Sequence, residues 1–366
     1  MTKIKLYSSK QIIFILLLIL LLNYAVLSSK AQTEFYLNKI TSIGGSGVGY
    51  DVDIDCNYAY ITGNDGYIVV DIQNPTKPKI ISDFEINGGA FGIFVKDDIA
   101  YVAAAGQGLF ITDVSDPANP TLLGHENGGG ISNNVYVSGD YAYISNYENG
   151  LQIFDVTDLT NPTKIGEYSL DGRADGVVVR DNFAYVANPN SRVNVLNVTI
   201  PSAPQKVSTL SATDGATGIS AFENLLFVGC YSSNVLVFDI STPSNPILLG
   251  LHTDDDEGEA QGVVGNSTHL YVADNYGVEY LNISSLPTIT KIAEQRQGVS
   301  AAHDIDFKDN FLYIAGGSVT GSLVFEVSKS QKSNYLGIYI GVPLTVIVLS
   351  VTFLLLYKYK IKKKET

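Results

Sequence analysis

The chain of 366 residues has no tryptophan, only two cysteines and four histidines, and between its two ends it is poor in basic residues. Two cysteines cannot build the multi-bridge framework of a small secreted scaffold, so stability has to come from a packed core. The histidines, at 125, 252, 269 and 303, lack the spacing of a metal-binding pair, and no Gly-x-Ser-x-Gly elbow or phosphate-binding glycine loop occurs. Between residues 35 and 328 no apolar stripe recurs at helical spacing, which excludes a helical domain. The first 31 residues carry four lysines, and the last nine carry five lysines and one glutamate. The remainder holds 36 acids against 14 bases, a net of −22. Such a surface repels nucleic acid and anionic lipid and attracts cations or basic partners.

What is present is a period. An aromatic strand centre recurs at Tyr60, Tyr101, Tyr143, Tyr185, Phe227, Tyr271 and Tyr313, in steps of 41, 42, 42, 42, 44 and 42 residues. Pro78, Pro120, Pro162, Pro204 and Pro246 keep the same beat, and Pro287 follows one residue early. In the third copy, alternating Asn134 to Val137, Tyr141 to Ser145, Leu151 to Val156 and Lys164 to Leu170 read as four strands separated by turn residues. Four antiparallel strands per repeat, seven times over, describe an all-β, seven-bladed β-propeller. The seventh copy, from about Ala301 to Val327, ends without a proline-led fourth strand. Phe35 to Ile43 has the apolar content to supply it, so the ring is expected to close by this N-terminal strand and leave no long free edge.

The third-strand phrases Tyr67 to Asp71, Leu109 to Asp113, Leu151 to Asp155 and Val235 to Asp239, each followed by a proline-containing loop, resemble the LVIVD repeat. The resemblance covers nearly all of residues 47 to 330 and implies a propeller of the bacterial and archaeal surface or secreted kind, with no defined ligand. Copies four, six and seven depart at the acid, with Asn197, Asn282 and Glu326, and copy seven lacks the proline.

The ends predict location. Lys3, Lys5 and Lys10 precede an apolar run from Ile12 to Leu22, and Ser29-Lys30-Ala31 suits a signal peptidase, so residues 1–31 read as a signal peptide. The propeller is assigned to 32–330 and a linker to 331–335. Leu336 to Tyr357 carries no charge over 22 residues. As a helix it would be ~33 Å long, enough for a ~30 Å hydrocarbon core. Residues 358–366 form a basic tail expected on the cytoplasmic side, leaving the propeller extracellular. The expected partners are therefore the membrane, through that helix, and an extracellular protein or glycan, but not nucleic acid.

Residues repeated in every copy serve the fold, so function is sought where the repeat is broken. The acids Asp71, Asp113, Asp155 and Asp239 recur regularly and are expected to fix the following loop through hydrogen bonds to its backbone. Sequons at Asn197, Asn266 and Asn282 are unequal. Asn197 and Asn282 replace those acids, leaving Asn266, in a hairpin turn, as the suitable glycosylation acceptor. Nine and seven residues before the anchor, only blades one and seven are acidic at both positions, with Asp51, Asp53, Asp304 and Asp306. They are expected to approach one another near the axial channel, as a Ca2+ site or as the lining of a wet channel. A second run, Asp254, Asp255, Asp256, Glu257 and Glu259, is either another calcium loop or a solvated acidic connection. Ten residues before the anchor stand Tyr50, Phe91, Asn133, Asp175, Thr217, Gln261 and His303, variable side chains that form a candidate ligand-binding rim. Binding or adhesion at the cell surface is the leading expectation. The alternatives are a hydrolase or lyase acting at the channel mouth and a structural envelope component.

Overall fold

The structure, a computed structural model, describes residues 33–43, 48–190, 192–212, 214–232, 234–253, 258–296, 299, 301–316 and 321–331. Among them, 28 strands form seven four-stranded antiparallel sheets. Six sheets are simple meanders, as in blade one, with Gly49–Asp55 innermost, then Tyr58–Gly63, Gly66–Asp71 and Lys79–Glu85. The seventh is composite. Thr33–Ile43 lies outermost, against Ser322–Gln331, followed by Phe311–Gly316 and Ala302–Lys308. The N-terminal strand thus completes the last blade, and the Asn38 amide donates to Ser328 Oγ at 2.6 Å across that seam.

The anchors are the centre of each blade. Tyr143 pairs with Tyr136 on the inner strand and with Ile153 on the third, and Tyr60, Tyr185, Phe227 and Tyr313 are likewise buried. The hydrophobic clusters do not lie within blades. Each of the seven joins two neighbours, from Tyr60, Val69 and Ile93 between blades one and two to Ile43, Val52 and Tyr313 between seven and one. A single sheet has no core of its own, which is why the period must repeat and close.

The repeated acids fix the loop after the third strand. Asp71, Asp113, Asp155 and Asp239 accept from the backbone N–H two residues on at 2.8–3.0 Å, and Asn197 and Asn282 do the same at 2.9 Å. Asn266 lies, as expected, in the hairpin turn between the first and second strands of blade six. Its Oδ1 accepts from the Thr268 N–H, the Thr268 hydroxyl and the His269 N–H at 2.9–3.0 Å, and the residue is only half-exposed. Its Oδ1 accepts from the N–H two residues on as those of Asn197 and Asn282 do, but it closes a hairpin rather than the loop after a third strand. Cys56 sits exposed in a turn between first and second strands, whereas Cys230 ends a buried second strand, and no disulfide joins them.

The ring proper is the compact unit Phe35–Ser328. The signal peptide, the linker, the predicted membrane helix 336–357 and the basic tail lie outside the described residues. Among the described residues no helix is long and apolar enough to cross a membrane.

Candidate functional site

Tyr50, Phe91, Asn133, Asp175, Thr217, Gln261 and His303 all line one cavity of about 390 Å³. One comes from each blade, so the cavity is the mouth of the axial channel. A backbone irregularity points them there. In blades one, three, five, six and seven the inner strand slips register at this place, between Gly49 and Val52, Ser132 and Asn134, Ala216 and Ile219, Ala260 and Gly262, and Ala302 and Asp304. A bulge puts two residues opposite one, which bends the strand and re-aims a side chain. In blades two and four the inner strand begins just after the rim residue, at Gly92 and Gly176.

The rim side chains touch one another across blade boundaries. Tyr50 packs edge-on to Phe91, with centroids 5.0 Å apart, and lies 5.8 Å from the His303 ring. His303 Nδ1 is 2.6 Å from Gln261 Oε1, and Gln261 donates through Nε2 to Glu259 Oε2 at 2.8 Å. Burial pushes the His303 pKa down, so the ring is neutral near pH 7. The Asn133 amide donates to the backbone carbonyl of Asp175, and the Thr217 hydroxyl to that of Ala260 at 2.8 Å. Thr217 is therefore spent on joining blades five and six, and contributes little to a ligand face.

Sequence reasoning missed three polar lining residues, Arg173, Tyr147 and Tyr231. Arg173 Nε lies 2.9 Å from Asp175 Oδ1, its Nη2 donates to Asp175 Oδ2 at 3.1 Å and to the Tyr231 hydroxyl, and its guanidinium lies 5.1 Å from the centroid of the Tyr147 ring. Burial pushes the Asp175 pKa up to about 6, against the opposing pull of Arg173. Both tyrosines follow their anchor by four residues, the register that also supplies Asn64, which accepts from the Tyr50 hydroxyl at 2.7 Å, and Asn275, 3.4 Å from Gln261 Nε2. Arg173 and Glu259 share another register, twelve before the anchor, where the other copies carry Val48, Gly89, Ile131, Gly215 and Ala301. Both signals were present in the repeat. Glu259 belongs to this wall, and its neighbours in the acidic run, Asp254, Asp255, Asp256 and Glu257, lie outside the described residues. His252, ahead of that run, points instead to the buried Glu279, with Nε2 3.2 Å from Oε2.

The four predicted metal-ligand acids do come together, with the Asp51 and Asp304 carboxyl groups sharing a hydrogen bond, and each also accepts a backbone N–H of the next blade. Asp304 accepts from Val52 N at 3.2 Å and Asp306 from Ile54 N at 3.0 Å, so blade seven is bonded to blade one. Asp51 accepts from Ile93 N at 2.8 Å and Asp53 from Val95 N, so blade one is bonded to blade two. Asn134 repeats the device between blades three and four, accepting from Val177 N at 3.4 Å. Burial raises all four carboxyl pKa values, that of Asp306 to about 6; the Asp51 charge raises Asp304 further, and the Asp306 charge raises Asp53. A calcium cage needs six to eight convergent oxygens. Among the described residues no three acid, histidine or cysteine groups are arranged to hold a metal ion, and the role the geometry shows for these four acids is that of joints between blades.

A family profile described as LVIVD repeat matches residues 46–85, 87–127, 129–169, 171–210 and 215–254. A search of curated proteins finds no match. Among solved structures, the computationally designed Ika8 protein is similar at 13% identity and a TM-score of 0.58, over 79% of this chain and 99% of that one. The β-propeller domain of Cps50 (Swd1) from Myceliophteria thermophila is similar at 11% identity and a TM-score of 0.65, over 80% of this chain and 100% of that one. At such identities the likeness concerns the fold alone.

Proposed function

Because the chain belongs to the LVIVD repeat family, we propose that its ring is a binding module whose working surface is the channel mouth. The observation that carries this reading is the convergence of seven non-repeating side chains, one per blade, on a single cavity of about 390 Å³. A closed ring holds them in place before any ligand arrives, so little ordering entropy is lost on binding. The apolar run Ile12 to Leu22, the uncharged segment Leu336 to Tyr357 and the lysines that follow it support display outside the cell on a membrane anchor, with an extracellular protein or glycan as the ligand. The test is affinity capture from extracellular and envelope extracts, using the full-length chain and a variant carrying Tyr50→Ala and Phe91→Ala. A component held by the first and lost from the second, with the two melting alike, supports the mouth as the binding surface. Equal retention by both moves the function elsewhere on the ring.

A further inference from the structure

We infer that the channel mouth takes an organic cation, a guanidinium or alkylammonium group, seated between the Glu259 carboxylate and the aromatic rings of the rim. This deepens the binding reading and rests on it. The mouth already shows how it treats such a group. Arg173, exposed over 44% of its side chain, lies across the Tyr147 ring, against the Asp175 carboxylate and the Tyr231 hydroxyl. Cations are held there by a carboxylate on one side and a ring face on the other.

Glu259 stands in the same register as Arg173 two blades further on, and carries the opposite charge. Its one hydrogen bond is to the neutral Gln261 amide, and among the described residues it has no ion-pair partner. It lines the same cavity as Arg173, and Gln261 links it to His303, whose ring lies 5.8 Å from that of Tyr50. His303, neutral through burial, does not repel a cation, and Tyr50 and Phe91 add aromatic surface. Of the carboxyl groups in the cavity lining, Asp51 and Asp304 are turned to the next blade and Asp175 is paired with Arg173, which leaves Glu259 as the carboxylate that would attract a cation and repel an anion in this partly enclosed space. The volume suits one basic side chain or a short amine rather than a folded domain.

The group could be presented by a basic residue of a protein or by a free small molecule, and the test separates them. The full-length chain is titrated calorimetrically with N-acetyl-arginine methylamide, its citrulline counterpart of equal shape and no charge, and spermidine. The arginine probe should bind at least about tenfold more tightly than the citrulline probe. Glu259→Gln, which keeps an acceptor for Gln261, should erase that preference while leaving the melting temperature unchanged. Tighter binding of spermidine than of the arginine probe identifies a free amine as the better occupant; the reverse identifies a basic side chain. Equal affinity for arginine and citrulline, a preference that survives Glu259→Gln, or no heat of binding up to about 10 mM arginine probe overturns the inference. A neutral glycan captured by the full-length chain and lost on Tyr50→Ala/Phe91→Ala would overturn it too, while leaving the mouth as the binding surface.

Discussion

Two arcs of the ring join their blades by different chemistry at the same position, nine residues before the anchor. From blade seven through one to two, Asp304 and Asp51 reach across and accept a backbone N–H of the next inner strand, and Asn134 does so between three and four. At the remaining joints this residue is Gly92, Gly176, Gly218 or Gly262. A side chain would meet the next blade directly, as at Gly218, where a Cβ would fall 2.2 Å from the Gln261 carbonyl oxygen, or Gly262, where it would fall 2.7 Å from Asp304 Cα. The arc from blade seven through one to two, and the joint at Asn134, are bonded; the joints at the four glycines are close-packed. The bonded arc holds the seam where the two ends of the chain meet, and its buried acids tie it to pH. The glycine joints carry no titratable group at this position.

The largest expected effect breaks a close-packed joint. Gly218→Ala forces a methyl group into backbone that cannot move aside, and should lower stability by about 3 kcal/mol or more, read by chemical denaturation. If it melts like the natural chain, the joint is looser than the structure shows. Next is a bonded joint: Asp304→Ala leaves the Val52 N–H without its acceptor and should cost about 1–3 kcal/mol, whereas Asp304→Asn should nearly restore stability. Asn134 is the precedent, because it performs the same task uncharged.

The third prediction uses pH to separate the arcs. The Asp306 carboxyl is raised from its ordinary value of 3.8 to about 6 in the folded ring, and Asp53 and Asp304 are raised in the same direction. The folded state therefore holds protons that the unfolded chain has released. The resulting stabilisation is complete below the ordinary carboxyl value and is lost as pH rises through about 6. Melting temperature should fall between pH 4.5 and 7.5, and Asp306→Asn should recover about 2 °C or more of that fall by removing one of the contributing acids. An unchanged slope would mean that Asp306 is ionised in the fold. The smallest effect is expected at the repeated loop lock: Asp71→Ala removes one partly exposed hydrogen bond to Gln73 and should lower the melting temperature by about 1 °C.

Much of this architecture was legible because a repeat averages out local ambiguity. The anchor tyrosines, the strand count, the closing strand at Phe35 to Ile43 and the side-chain locks at Asp71 and its equivalents follow from period and turn chemistry alone. The rim positions were also legible, as breaks in the pattern, although the bulges that aim Tyr50 and His303 inward leave no mark in the sequence. The acids at Asp51 and Asp304 were found but given a different chemistry. Their proximity follows from the ring, whereas the direction of each carboxylate depends on N–H groups of the next blade, 42 residues on in the case of Asp51 and Ile93. Arg173, Tyr147 and Tyr231 are not legible in the same way, because they stand in a blade connection and in hairpin tips, where contacts across blades rather than the strand period set the direction of a side chain.

The ring offers one rival to its mouth. The fourth strands carry exposed apolar side chains, with Leu122 at 51%, Ile247 at 56% and Leu248 at 51% exposure, on the outer surface. Hydrogen exchange of the full-length chain, with and without its captured ligand, decides between the two. Protection confined to the connections before Tyr50, Asp175, Gln261 and His303 and to the hairpin tips at Tyr147 and Tyr231 is the result expected of a binding mouth. Protection confined to the fourth strands, with those segments unchanged, would contradict it.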